Sequence, residues 1–122
     1  MDADLDQRFR GLPVKGLSNG LRLIEARSQR SRRRGLARLD TLPADVALHI
    51  PGTPSVHTFG MRFALDLIWL GKDGTVARVE RNVGPRRVAV CLKARSVVET
   101  PAGAADRFIA AGIGAGDAPR RS

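Results

Sequence analysis

Residues 64–70 read Ala-Leu-Asp-Leu-Ile-Trp-Leu, apolar almost without alternation and interrupted only by Asp66. A run of that length and pattern is a strand covered on both sides rather than one with a wet face. The carboxylate set between Leu65 and Leu67 must then be paired or hydrogen-bonded, or stay protonated. Arg62, Arg95 and the backbone amides of a turn are the candidate partners. Just upstream, residues 55–63 read as extended, with His57, Phe59, Met61 and Phe63 on one face and Val56, Thr58, Gly60 and Arg62 on the other. Pro54 before the run, its β-branched and aromatic content and Gly60 within it favour strand over helix, and Gly60 marks a bulge.

Around this centre the chain divides by its turn signals. Val14 to Leu17 and Leu21 to Ala26 flank Ser18-Asn19-Gly20, a hairpin signal because Asn-Gly supplies the positive φ that tight turns need. Ser28 can cap a helix running to Leu39, with Leu36, Ala37 and Leu39 inward and Arg30, Arg32, Arg33, Arg34 and Arg38 on the opposite face. Val46 to Ile50 is a short strand. Lys72-Asp73-Gly74 turns the central strand back through Thr75 to Val79. Asn82 to Arg87 reads as loop, Val88 to Leu92 and Ala94 to Thr100 as strands, and Ala104 to Ala111 as a helix closed by Gly112. The expected organisation is a frayed segment 1–13, a single domain 14–118 and a basic tail 119–122. The fold class is mostly β: an antiparallel sandwich or barrel-like domain with two short helices.

Composition excludes several classes of function. One cysteine rules out an internal disulfide and an all-thiolate metal site. No apolar stretch approaches the roughly 18 to 20 residues of a membrane span, and the acidic start Met-Asp-Ala-Asp is no export signal, so a cytoplasmic location is expected. Of the 21 basic residues only Lys15, Lys72 and Lys93 are lysines, leaving 18 arginines. A GC-rich genome would produce that skew by itself, so the net charge of +9 predicts solubility and salt-dependent adhesion to polyanions more than a nucleic-acid function.

Four candidate sites follow, each with a plainer alternative. His57 and Met61 could share a soft metal, but two ligands are not a site, and Cys91 or His49 would have to supply a third; the plainer account is a hydrogen-bonded core histidine beside a gap-filling methionine. Cys91 could be a nucleophile activated by His57 with electrostatic help from Arg86, Arg87 and Lys93, yet the apolar run Val88 to Leu92 favours burial. Asp66 could act as a general acid or base, but no second carboxylate is spaced to assist it. The block from Arg27 to Arg34, with Arg30, Arg32, Arg33 and Arg34, could track a phosphate backbone, though it lacks aromatics for base stacking and reads equally as a solvated helix face. Glu99 and Arg95 of the 94–101 strand lie on one side of the sheet, and the plainer account there is a cross-strand ion pair worth under about 1 kcal/mol.

The string Ser55-Val56-His57-Thr58-Phe59-x-Met61-Arg62-Phe63-x-Leu65-Asp66, followed by Leu70, Asp73-Gly74 and Val76, resembles the bacterial and archaeal family called domain of unknown function 192. Arg34-Gly35-Leu36 upstream, and Pro85-x-Arg87, Cys91, Ala94-Arg95, Val98-Glu99, Pro101-Ala102-Gly103 and Gly116-Asp117 downstream, extend the resemblance over residues 21–118. It implies a compact, mostly β domain with short helices and brings no established activity. Thr53 stands where many close members carry Cys, which removes a paired-thiol reading from this chain, and Ala64 stands where many carry Pro.

The reading that results is a non-catalytic ligand- or partner-binding accessory module. Its candidate ligand residues are His57, Thr58, Met61, Asp66, Cys91 and Arg95. No cofactor is expected, and a metal, if held, would use His57 and Met61. The rivals are a metal- or small-molecule-dependent enzyme using His57, Asp66 and Cys91, and a polyanion binder using Arg30, Arg32, Arg33 and Arg34.

Overall fold

The computed structural model describes residues 7–116, without the side chains of Gln29, Arg30 and Arg33. Among the described residues eight strands form two sheets: β1 (Val14–Gly16), β2 (Arg22–Glu25), β3 (Val46–Pro51), β4 (Ser55–His57), β5 (Leu65–Leu70), β6 (Val76–Val83), β7 (Val88–Val90) and β8 (Ser96–Pro101). The larger sheet has the order β1-β2-β3-β8-β5-β6, and β4 pairs with β7 in a separate two-stranded ribbon. All pairings are antiparallel except β2 with β3. A parallel pair needs a crossover, and the β2–β3 connection carries the short helix α1 (Gln29–Arg34). A second helix, α2 (Ala105–Ala110), follows β8. The domain is mostly β as expected, and neither sheet closes into a barrel.

Strands β5 and β8, neighbours inside the sheet with a strand on either side of each, explain the apolar run. Every residue of β5 is buried, because alternate side chains enter two separate cores. Leu65, Leu67 and Trp69 join Val97 and the α1 side, where Leu36 and Leu39 pack. Ile68 and Leu70 join Val98 on the other face, beneath Ala105 and Phe108 of α2. The hairpin at Ser18 to Gly20 forms as its sequence requires, with Asn19 at φ 62° and Val14 opposite Ile24.

Asp66 is 1% exposed on the α2 face, and its partners are backbone amides rather than Arg62 or Arg95. Oδ1 accepts from Asn82 N at 2.9 Å, and Oδ2 accepts from Gly103 N at 3.0 Å and Ala105 N at 3.1 Å. The last donor belongs to the first residue of α2, whose own preceding residue, Ala104, offers no side-chain cap. One central-strand carboxylate therefore ties β6, the β8–α2 turn and the start of α2 together.

Four expectations need correction. The helix after Ser28 starts as read, with a capping box between Ser28 and Ser31, but ends at Arg34 rather than Leu39. Gly35 breaks it at φ 48°, and two further turns, Ala37 N to Arg34 O and Leu39 N to Leu36 O, deliver Leu36 and Leu39 to the core. The strand expected over 55–63 stops at His57 because Thr58 starts a turn, accepting Met61 N at 3.1 Å, and Gly60 at φ 83° is a turn residue, not a bulge. Strand β6 continues through Asn82 and Val83, where the sequence predicts loop. Residues 7–13 lie against the domain instead of fraying, since Phe9 is 5% exposed within the core; residues 1–6 and the expected basic tail 119–122 fall outside the described residues.

Removing the Asp66 carboxylate leaves one buried amide donor, Ala105 N, and two part-buried ones, Asn82 N and Gly103 N, without an acceptor, an unmatched buried donor costing about 1 to 3 kcal/mol. Asp66→Ala is therefore expected to lower unfolding free energy by about 2 to 4 kcal/mol in urea titration, whereas Asp40→Ala, at the exposed Arg62 ion pair, should change it by less than about 1 kcal/mol.

Candidate functional site

Residues of α1 and the turn after it, of β3, and of β4 with its flanking turns line an open cavity of about 620 Å³. The lining includes the exposed Arg32, Arg34, His57 and Phe59 and the buried Ile50, Met61 and Glu99. Volumes of roughly 300 to 1,000 Å³ suit small-molecule ligands.

Glu99 is the unusual member. It lies in the middle of β8 between Leu48 of β3 and Leu67 of β5, is 4% exposed, and has no hydrogen-bond partner for Oε1 among the described residues. Burial penalises the charged form and pushes the carboxyl up from 4.5 to about 7. The ion pair expected with Arg95 is not formed: Glu99 is in the interior and the Arg95 side chain is exposed. The sequence did carry a signal, since Val97, Val98 and Thr100 flank this carboxyl much as Leu65 and Leu67 flank Asp66. Gly35 leaves it room. A Cβ at position 35 would stand 3.5 Å from Oε1, and the backbone there, at φ 48° and ψ −126°, is one that side chains rarely adopt.

The other sequence candidates separate. His57 is exposed at the cavity rim, its Nδ1 accepting from Phe59 N at 3.2 Å and its ring centroid 5.4 Å from that of Phe59; in the neutral ring this leaves the proton on Nε2. Phe59 is 51% exposed whereas Met61 is 8% exposed in the core, so the turn at Thr58 to Gly60 dissolves the single apolar face expected for 57–63. Cys91 is buried on the inner side of the ribbon beside Ala89, while His57 pairs in register with the exposed Val88 on the outer side. Asp66 faces the other core entirely. His57, Asp66 and Cys91 are thus not brought together, and among the described residues no group of three metal-ligating His, Cys, Asp or Glu side chains exists. Thr58 is a structural knot: its Oγ1 donates to Gly84 O at 2.7 Å and accepts from Arg87 N at 2.8 Å, fixing the ribbon to the loop before β7. Of the helix arginines, Arg32 and Arg34 line the cavity, and the side chains of Arg30 and Arg33 fall outside the described ones.

A second partly buried pair escaped the sequence reading. His49 Nδ1 lies 2.7 Å from Glu25 Oε1 across the parallel β2–β3 register, on the face away from the cavity.

The profile of domain of unknown function 192, described as "Uncharacterized ACR", matches residues 14–118. The chain belongs to this family. Two solved structures resemble this member of domain of unknown function 192. One is a "putative transcription regulator" from Sinorhizobium meliloti 1021, with TM-score 0.64, 20% identity and coverage of 83% of this chain and 86% of that one. The other is a protein of unknown function from Novosphingobium aromaticivorans DSM 12444, with TM-score 0.62, 17% identity and coverage of 80% and 87%. At such identities they share the fold of the family. No curated protein matches the sequence, and no helix among the described residues is long and apolar enough to cross a membrane.

Because Glu99 ionises at 4.5 when unfolded but at about 7 when folded, the native state holds the extra proton between those values. Its contribution is intact below about pH 4.5 and is lost as pH rises through about 7, a fall of roughly 3 kcal/mol. Denaturant titration of parent and Glu99→Gln across that window should show the difference between them closing or reversing in the parent's disfavour as pH rises. Parallel pH profiles would mean that the carboxyl does not titrate there.

Proposed function

We propose that this protein is a non-catalytic binding module whose ligand is a small organic acid held in the Glu99 cavity. The observation that carries the reading is the buried carboxyl oxygen of Glu99, unpartnered among the described residues at the interior of a cavity walled by Arg32 and Arg34. A carboxyl in that state costs stability, and a cost kept at the floor of a cleft points to use in binding. Near neutral pH it is poised to donate a hydrogen bond as well as accept one. Arg32 and Arg34 would take the ligand's carboxylate in the planar, two-pronged manner of guanidinium groups. Ile50 and Met61 would receive its apolar body, and Glu99 a hydroxyl or carbonyl on that body. The two arginines disfavour a metal cation in the same place, and His57, Asp66 and Cys91 do not form a nucleophile–base pair with one another.

The test is a pair of measurements on Glu99→Leu, which fills the interior but neither ionises nor hydrogen-bonds. Its melting temperature at pH 8 should equal or exceed the parent's, because a buried, uncompensated carboxylate is removed. In calorimetric titration with a panel of hydroxy and keto acids, the acids that bind the parent should lose about tenfold or more in affinity. A fall in melting temperature combined with retained binding would show that the carboxyl is structural and that the reading is wrong.

A further inference from the structure

From Val88 the chain alternates: Ala89 and Cys91 are buried beneath the ribbon, whereas Val88, Val90 and Leu92 are exposed, Val88 at 65% and Leu92 at 85%. A strand face that meets only water ordinarily carries polar side chains. The apolar surface continues onto β4 and the turn after it. His57 is in register with Val88, and its ring centroid lies 5.4 Å from that of the exposed Phe59. The ribbon presents these side chains on a fixed frame, with Cys91 N donating to Pro54 O and Thr58 N to Arg87 O, both at 2.8 Å, and Arg78 Nη1 donating to Val90 O at 3.1 Å. Its charge is one-sided. Residues 51–65 and 81–98, which hold the ribbon and its connections, contain no Asp or Glu and carry six basic residues, Arg62, Arg81, Arg86, Arg87, Lys93 and Arg95. Arg62 pairs with Asp40 and Arg81 with Asp106; the exposed Arg86, Arg87, Lys93 and Arg95 have no ion pair among the described residues. Arg86 and Arg87 directly precede Val88 and Lys93 directly follows Leu92, so cations stand at both ends of the apolar strand. Attraction to an extended charged surface depends on charge lying within a Debye length of it, about 8 to 10 Å, and not on the direction of any one side chain.

We propose that the outer face of the β4–β7 ribbon docks on an anionic lipid bilayer, with Val88, Val90, Leu92 and Phe59 entering the boundary of the acyl chains and Arg86, Arg87, Lys93 and Arg95 lying among the headgroups. An exposed apolar patch marks an interaction surface, and its charge selects the occupant. A second copy of the chain would set these cations against their own twins. Protein partners draw their binding energy mainly from Trp, Tyr and Arg anchors, with Leu and Val under-represented, whereas aliphatic side chains are the ones that transfer favourably into hydrocarbon. Apolar insertion and attraction to anionic lipid then act together, as they do for other proteins held at a bilayer surface without crossing it. Val88, Val90, Leu92, Arg86 and Lys93 do not line the Glu99 cavity, so this docking and the organic-acid site are tested separately.

The full chain is sedimented with phosphatidylcholine vesicles containing about 30% phosphatidylserine as the anionic lipid, and with vesicles of phosphatidylcholine alone. The parent should bind the anionic vesicles and not the neutral ones, with affinity falling as salt is added. Val88→Thr with Leu92→Ser, which keeps every charge, should weaken binding by about tenfold or more, and Arg86→Gln with Lys93→Gln should do the same. Both pairs alter exposed side chains and should melt at the parent temperature. The single changes Leu92→Ser and Lys93→Gln, read alone should a pair not fold, should each weaken binding by at least about threefold. Lys15→Gln with Arg107→Gln removes as much charge from the α2 face of the sheet, where Lys15 stands in register with Leu23, and should leave binding within about twofold of the parent's, since those charges lie beyond the screening distance. No binding of the parent to anionic vesicles, undiminished binding by the Val88 and Leu92 pair, or an equal loss in the Lys15 and Arg107 pair would each overturn the proposal.

Discussion

Burying an ionisable carboxyl is the constraint on which this architecture turns. Strands β5 and β8 lie inside the sheet with cores on both faces, so a carboxyl on either strand loses its water whichever way it points. Two such groups occur, one on each face: Asp66 beneath α2 and Glu99 beneath the ribbon and α1. Physical chemistry requires that each be compensated, neutralised or held at a cost.

The two outcomes differ, and the proposed function rests on that difference. Asp66 receives three backbone amides and in return fixes the start of a helix that has no cap of its own, which makes the group part of the scaffold. Glu99 receives none at Oε1, is pushed toward neutrality, and opens on a cavity beside two arginines. A scaffold carboxyl left in that condition gains nothing for the fold, whereas a ligand that completes its hydrogen bonds and meets the arginines recovers the cost on binding.

Much of the fold was legible because its signals are local. The unbroken run from Leu65 to Leu70 announces a strand with two buried faces, Asn19-Gly20 a turn, and Ser28 a cap. The errors came where a turn competes with periodicity. His57, Phe59, Met61 and Phe63 alternate like a strand, but Thr58 spends its hydroxyl and carbonyl on Gly84, Arg87 and Met61, and Gly60 reverses the chain. The same limit hid the site. Arg32 and Arg34 read as a solvated helix face and are indeed exposed, but spacing does not show that they border a cavity, and Glu99 reads as half of an ion pair with Arg95 until β3 and β5 are known to flank it. Long-range pairing decides both, and neither is written in sequence spacing.

The central claim is that Glu99 is held dry and unpaired in the native protein, and the most direct measurement is its own titration. The side-chain carboxyl carbon of Glu99, assigned in ¹³C-labelled protein by comparison with Glu99→Gln, should follow a titration curve centred near pH 7, as burial at its place in the sheet requires. A midpoint in the ordinary range, about 4 to 4.5, would mean that the carboxyl is solvated or compensated in the native state, and would contradict the account of the cavity.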